Sequence, residues 1–333
     1  MNKIPQTVKI LVENESELGP VFRIDEQRVK DALTAFPDLA DRIEITFSTD
    51  CDRFDAEIGS AHVLIGWRFP HQTLKKAALQ LRWVHLTGAG VEHLAPFDWI
   101  PPGVIVTNNR GVHASKVEEF GIMAALMLAT RMPQLFHAQR EHRWEQIFSK
   151  SVVGQTVGIV GVGNMGGAVA TGCKKLGMHT LGIRRSGGTH SAIDAMLPLQ
   201  DLNRLLGESD IVFLSTPLTS ETKGLMGTQQ FAAMKRGAGI VNIARGGVID
   251  APSLMAALKA GHLSGAILDV FDLEPLPSGS PLWDMPNVVI TPHCSSDDAE
   301  HYVPMTLQRV FTNVRNLVTG QPLFGVVDPL TGY

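Results

Sequence analysis

The chain has 333 residues, of which 44% are apolar and 19% charged, with a formal net charge of -4. That length exceeds one ordinary core, that composition lies far from disorder, and that charge gives no basic field for a nucleic-acid partner. Cys51, Cys173 and Cys294 lack the paired spacing of a zinc site or disulfide scaffold, so no metal is expected. Neither a signal-peptide core nor an apolar window near the roughly 18 residues of a membrane span is visible, so a cytoplasmic protein is expected.

Short apolar runs alternate with amphipathic stretches, the pattern of an α/β fold. Strands are predicted at residues 8–12, 43–47, 63–65, 83–86 and 104–107, with helices such as 26–35 between them. They form a small open parallel sheet covered on both faces, a flavodoxin-like substrate domain. Residues 117–130 (VEEFGIMAALMLAT) are apolar almost all round and read as a linking helix buried between domains. Residues 134–148 (QLFHAQREHRWEQIF) read as a helix carrying His137, His142 and Trp144. No acid-base signature accompanies these imidazoles, so they are read as solvated or interdomain histidines. A second series of six strands, at 156–160, 180–183, 211–214, 239–242, 266–269 and 288–290, suits a Rossmann dinucleotide-binding sheet. The last helix, 298–319, follows the sixth strand and is assigned back to the first domain. The expected division is therefore 1–108 with 298–333 for substrate, and 109–297 for the dinucleotide.

Residues 157–166 (VGIVGVGNMG) run from an apolar strand into Gly161, Gly163 and Gly166 and then a helix. The first glycine permits the tight turn, the second a close approach of a pyrophosphate, the third close helix–strand packing. Amides near Asn164 and Met165 then face the phosphates. After the next strand, where an NAD-selective fold carries an acid, stand Arg184, Arg185 and Ser186. Two guanidiniums and a hydroxyl suit the 2′-phosphate of NADP, with NAD as the alternative cofactor and a pair of solvated arginines as the plain one.

Three further segments, 241–250 (VNIARGGVID), 268–277 (LDVFDLEPLP) and 288–295 (VVITPHCS), each place a reactive residue after a predicted strand. Open α/β sheets bind ligands at that edge. The planar guanidinium of Arg245 suits a carboxylate, the imidazole of His293 suits proton transfer near neutral pH, and Glu274 suits orienting and charging that imidazole. Singly each has a plain surface reading; their joint placement points to reduction of a 2-oxo acid.

These segments, with 217–222 (PLTSET) and 281–293 (PLWDMPNVVITPH), resemble the D-isomer-specific 2-hydroxyacid dehydrogenase family, which includes glyoxylate and hydroxypyruvate reductases. The resemblance runs through most of the chain. It implies that Arg245 binds the substrate carboxylate, that His293 is the acid/base and that Glu274 is its partner. It also implies that Asp269 holds the nicotinamide carboxamide, that Thr216, Pro217, Thr222, Ile243 and Ala244 line the cofactor, and that the protein is a homodimer. In the first domain, 86–94 (LTGAGVEHL) is similar to the family's substrate loop, with Ala89 and Gly90 at the matching positions.

The chain departs from the family at Cys294, Ser295 and Ser296, which follow His293, and at Lys116 and Glu118 in the linking helix. Relatives of the family also oxidise formate or phosphite, and some corepressors resemble it without catalysing a reaction. All three members of the reacting set are present here.

Overall fold

The computed structural model describes residues 7–329. They group into two compact units, one running to Val112 and resuming at Asp298, the other spanning His113–Asp297.

The first unit holds a five-stranded parallel sheet of order β2-β1-β3-β4-β5. Its strands are β1 (Val8–Asn14), β2 (Ile43–Thr49), β3 (Val63–Gly66), β4 (Trp83–Leu86) and β5 (Ile105–Asn108). This is the flavodoxin order, and successive side chains face opposite sides. Ile10, Val12, Val63 and Ile65 pack on one face, while Leu11, Leu64, Val84 and Val106 pack on the other. Both faces are covered, so the strands read as continuous apolar runs. Helices α1 (Glu26–Leu33), α2 (Phe54–Glu57) and α3 (His71–Ala77) connect them. Asp25 caps α1 by accepting from the Arg28 amide. The C-terminal helix α10 (Tyr302–Thr319) lays Val303, Leu307, Val310, Phe311 and Val314 into the core with Ile10 and Trp83, and ends at Gly320 with φ +72°.

A buried polar network ties α10 to the end of β5. The Asn109 amide donates to the Thr87 carbonyl at 2.9 Å and to the Thr306 hydroxyl at 2.7 Å. Beneath it, Trp83 Nε1 donates to the Thr107 hydroxyl at 2.7 Å, which meets His85 Nδ1 at 2.8 Å. Burial pushes the His85 imidazole down to about 3, so it serves as a neutral core residue.

The second unit holds a seven-stranded parallel sheet of order β12-β11-β10-β9-β6-β7-β8. Its strands are β6 (Thr156–Val160), β7 (His179–Ile183), β8 (Ala195–Leu197), β9 (Ile211–Leu214), β10 (Gly239–Asn242), β11 (Gly265–Leu268) and β12 (Val288–Ile290). The six expected strands are present, and the three-residue β8 joins them. With β8, the strands from β8 to β11 take the complete Rossmann order, and β12 extends the edge. Helices α4 (Ala114–Ala129), α5 (Met132–Arg140) and α6 (Asn164–Lys175) precede or follow β6, and α7 (Leu202–Glu208), α8 (Thr228–Ala233) and α9 (Ala251–Lys259) complete the layers. Val157, Ile159, Phe213 and Val241 face the α4 and α6 side, whereas Val160, Leu214, Ile240 and Leu268 face the other.

Two expectations about helices need correction. The linking helix buries Val117, Phe120, Gly121, Ala124, Ala125 and Leu128 on one face, and Met123 and Leu126 stay exposed. It docks on α6, where a Cβ on Gly121 would stand 3.1 Å from Val169 and one on Gly172 2.8 Å from Ile122. The helix expected over 134–148 stops at Arg140, because His142 turns to φ +55°, and Trp144 and Phe148 stand exposed beyond it. His137 lies inside α5 and His142 outside it, so the two imidazoles do not share a helix. Among the described residues no helix is long and apolar enough to cross a membrane.

Asn109→Ala is expected to lower stability by about 1–3 kcal/mol, since it removes the side-chain N–H donors to the Thr87 carbonyl and the Thr306 hydroxyl. Thermal unfolding followed by circular dichroism checks this against the unaltered protein.

Candidate active site

The cofactor end is built at the point where the strand order of the second sheet reverses, between β6 and β9. Gly161 has φ +100°, and a Cβ there would stand 2.7 Å from the Thr216 amide, so no other residue fits. Gly163 faces open space. A Cβ on Gly166 would stand 2.3 Å from the Gly161 carbonyl, which is the close packing the third glycine allows. Helix α6 then starts at Asn164 and Met165 with no side chain capping it, leaving its first amides for a ligand.

A cavity of about 480 Å³ opens beside this turn, lined among others by Gly163, Asn164, Gly167, Arg184 and His190. Past β7, Arg184 folds back so that its Nε donates to the Gly187 carbonyl, while Arg185 and Ser186 are exposed. His190 was not singled out from the sequence. It lies against Gly167, where a Cβ would stand 2.5 Å from its Nε2. Beyond β9, Thr216 is half-buried and Pro217 exposed. The Thr222 hydroxyl donates to the Pro217 carbonyl at 2.6 Å and accepts from the Thr219 amide at 2.8 Å, so it shapes its own loop. Ile243 and Ala244 are buried after β10.

The three candidate residues follow the ends of three neighbouring strands: Arg245 after β10, Glu274 after β11 and His293 after β12. His293 Nδ1 lies 2.7 Å from one oxygen of Glu274, whose other oxygen accepts from the Phe271 amide at 2.9 Å. A carboxylate only accepts, so Nδ1 carries a proton and Nε2 is the nitrogen left to face a reactant. The His293 side chain is 48% exposed, which leaves that nitrogen accessible. The Arg245 guanidinium donates to the Ala244 carbonyl at 2.7 Å, and the charges of Arg245 and His293 both bear on His113. Gly246 lets this loop close on the next one, since a Cβ there would stand 2.0 Å from the Phe271 carbonyl carbon.

Asp269 has a part that the sequence did not reveal. It is 2% exposed, and its Oδ1 accepts from the Thr291 hydroxyl (2.6 Å), the Cys294 amide (3.0 Å) and the Ser295 amide (3.1 Å). Its Oδ2 accepts from the Ser295 hydroxyl at 2.6 Å. The carboxylate therefore clasps the turn on which His293 stands at φ +51°, a left-handed conformation costing about 1–3 kcal/mol that persists only where the surroundings enforce it. Burial, and then the carboxylates of Asp269 and Asp297, push the neighbouring Cys294 thiol up, which argues against a nucleophile. Lys116 pairs with Glu119 at 3.0 Å, and Glu118 pairs with Lys175 on α6.

In the first unit, the loop after β4 holds Ala89 and Gly90. Asn108 donates to the Ala89 carbonyl at 2.7 Å, and the Asn109 amide N–H donates to the Gly88 carbonyl at 3.0 Å. Gly88 in the same loop has no room for a side chain, since a Cβ there would stand 2.0 Å from the Trp67 ring.

The profile of the D-isomer specific 2-hydroxyacid dehydrogenase, NAD binding domain, matches residues 122–295. The chain belongs to that dehydrogenase family. It is 37% identical over 234 residues to a glyoxylate reductase of Korarchaeum cryptofilum, covering 68% of this chain and 70% of that one. It is 33% identical over 257 residues to a D-3-phosphoglycerate dehydrogenase of Archaeoglobus fulgidus, covering 76% of this chain but only 48% of the relative. Among solved structures, a D-isomer specific 2-hydroxyacid dehydrogenase from Xanthobacter autotrophicus Py2 in complex with NADPH and MES superposes with a TM-score of 0.84, at 31% identity, over 99% of this chain and 100% of that one. An NADPH-dependent glyoxylate/hydroxypyruvate reductase from Sinorhizobium meliloti, in complex with NADP and sulfate, gives a TM-score of 0.81 at 25% identity over 98% and 100%.

For this family member a nicotinamide dinucleotide fits the residues present. Gly163 opens onto free space, the uncapped amides of α6 suit a pyrophosphate, and the cavity beside them carries Arg184 and His190. Asp269→Asn is expected to lower turnover at least about tenfold while the protein stays folded, because one amide oxygen cannot replace a carboxylate that accepts from four donors. Parallel kcat and circular dichroism measurements check it; unaltered kcat removes the clasp from the mechanism.

Proposed function

We propose that this dehydrogenase reduces a small 2-oxo acid, of the glyoxylate or hydroxypyruvate kind, to its D-2-hydroxy acid, with NADPH as the preferred reductant. The observation that carries the reading is the His293–Glu274 pair at 2.7 Å, set beside Arg245 on the ligand-binding edge of a dinucleotide-type sheet.

When bound, the nicotinamide supplies a hydride to the substrate's carbonyl carbon. The protein's own residues do the rest. Arg245 holds the substrate carboxylate with two parallel N–H donors, which fixes the carbonyl relative to the imidazole. His293 gives the proton of Nε2 to the carbonyl oxygen as it gains negative charge, and Glu274 on Nδ1 favours the charged imidazole that does so. One hydride and one proton are consumed per oxo acid reduced, and His293 regains its proton from water. The clasp on Asp269 keeps the turn in place through the cycle.

The preference for NADPH rests on Arg184, Arg185 and Ser186 standing where a 2′-hydroxyl-binding acid is absent, and two similar structures contain NADPH or NADP. The alternative is NAD. Initial rates at 340 nm with a panel of 2-oxo acids, formate and phosphite, each with NADPH or NADH or the oxidised forms, test both parts. Turnover of oxo acids with a lower KM for NADPH is expected; turnover of formate or phosphite alone overturns the substrate class, and a clear advantage for NADH overturns the cofactor preference. His293→Ala is expected to lower kcat by about 10²–10⁴-fold and to leave cofactor affinity nearly intact, as read by quenching of intrinsic fluorescence.

A further inference from the structure

The turn that presents His293 is gripped a second time, at its outgoing end. His113, at the start of α4, places Nδ1 3.2 Å from the Ser296 carbonyl and 3.5 Å from the Asp297 carboxylate. Both of these only accept, so Nδ1 carries a proton. The two side chains are 8% and 23% exposed, respectively. A largely buried imidazole needs a partner, because burying it alone is unfavourable.

Burial pushes the His113 imidazole down, with Arg245 and His293 adding to the effect and Asp297 and the Ser296 carbonyl opposing it. Burial pushes the Asp297 carboxyl up, with His113 and His293 opposing and Asp269 adding. The hydrogen on Nδ1 makes His113 the donor toward both acceptors. Glu274 hydrogen-bonds His293 directly, and the charges of His293 and Asp269 both bear on Asp297.

We propose that His113 and Asp297 are positioning residues for the acid/base histidine: His113 holds the Ser296 carbonyl and fixes the Asp297 carboxylate, whose negative charge supplements Glu274 in favouring the imidazolium of His293. The proposal deepens the reading of His293 as proton donor and rests on it. Neither residue was marked by sequence reasoning, since the two stand at opposite ends of the second unit.

The test is an NMR titration of the imidazole signals in the whole protein, with His293 assigned by the signal missing from His293→Gln. In Asp297→Asn the His293 midpoint is expected to fall by roughly half a unit to one unit, because a charge that stabilised the protonated form has gone. His113→Ala is expected to give part of that fall, and His113→Asn, whose amide N–H takes the place of Nδ1, to restore it. In oxo-acid reduction the high-pH limb of kcat/KM moves to lower pH by the same amount, with KM for the cofactor unchanged. An unmoved His293 midpoint in a folded Asp297→Asn overturns the proposal, and an unmoved limb beside a shifted midpoint overturns its catalytic meaning. If the unaltered protein reduces no oxo acid, the reading of the reaction fails instead, and the midpoint decides the electrostatic pairing by itself.

Discussion

A buried carboxylate needs every lone pair met, and in this protein Asp269 meets that demand by gathering the backbone of one turn. Its donors all come from residues 291–295, so its burial and the shape of that turn are one event. The left-handed backbone of His293 is the result. An imidazole on a relaxed strand end would point elsewhere, and Glu274, itself held by the Phe271 amide, would have no ring nitrogen to orient.

The polarity of a parallel sheet explains why the remaining groups assemble around that turn. All seven strands of the second sheet deliver their carboxyl ends to one edge, and β10, β11 and β12 are adjacent in it. Arg245, Glu274 and His293 are far apart in sequence but follow neighbouring strands. The glycine turn after β6 lies on the same edge, where the strand order reverses and the start of α6 is open. Substitution by any larger residue at Gly161 or Gly166 meets backbone, so the glycine turn has little freedom.

Much of this was legible in the primary structure, and the reason is periodicity. Strands buried on both faces write themselves as continuous apolar runs, which is why β1, β3, β6, β9 and β10 are visible, and the glycine spacing marks the start of α6. Strand β8 is three residues long and carries no such run. The stop of α5 at Arg140 depends on backbone angles at His142 that no residue type there demands. The family resemblance pointed to Arg245, Glu274 and His293 as candidates because their segments are distinctive, and the matching family profile shows the membership.

The sequence by itself determined the fold class, the order of elements and the glycine turn, since each is encoded in local spacing, and it pointed to Arg245, Glu274 and His293 as candidates. Only the tertiary structure decided that Asp269 clasps the histidine turn, that Gly88 lies beneath Trp67, that Thr222 closes its own loop and that His113 meets Asp297. Those are contacts between distant segments, fixed by distances of a few ångströms after the core has packed, and a linear pattern carries no record of them.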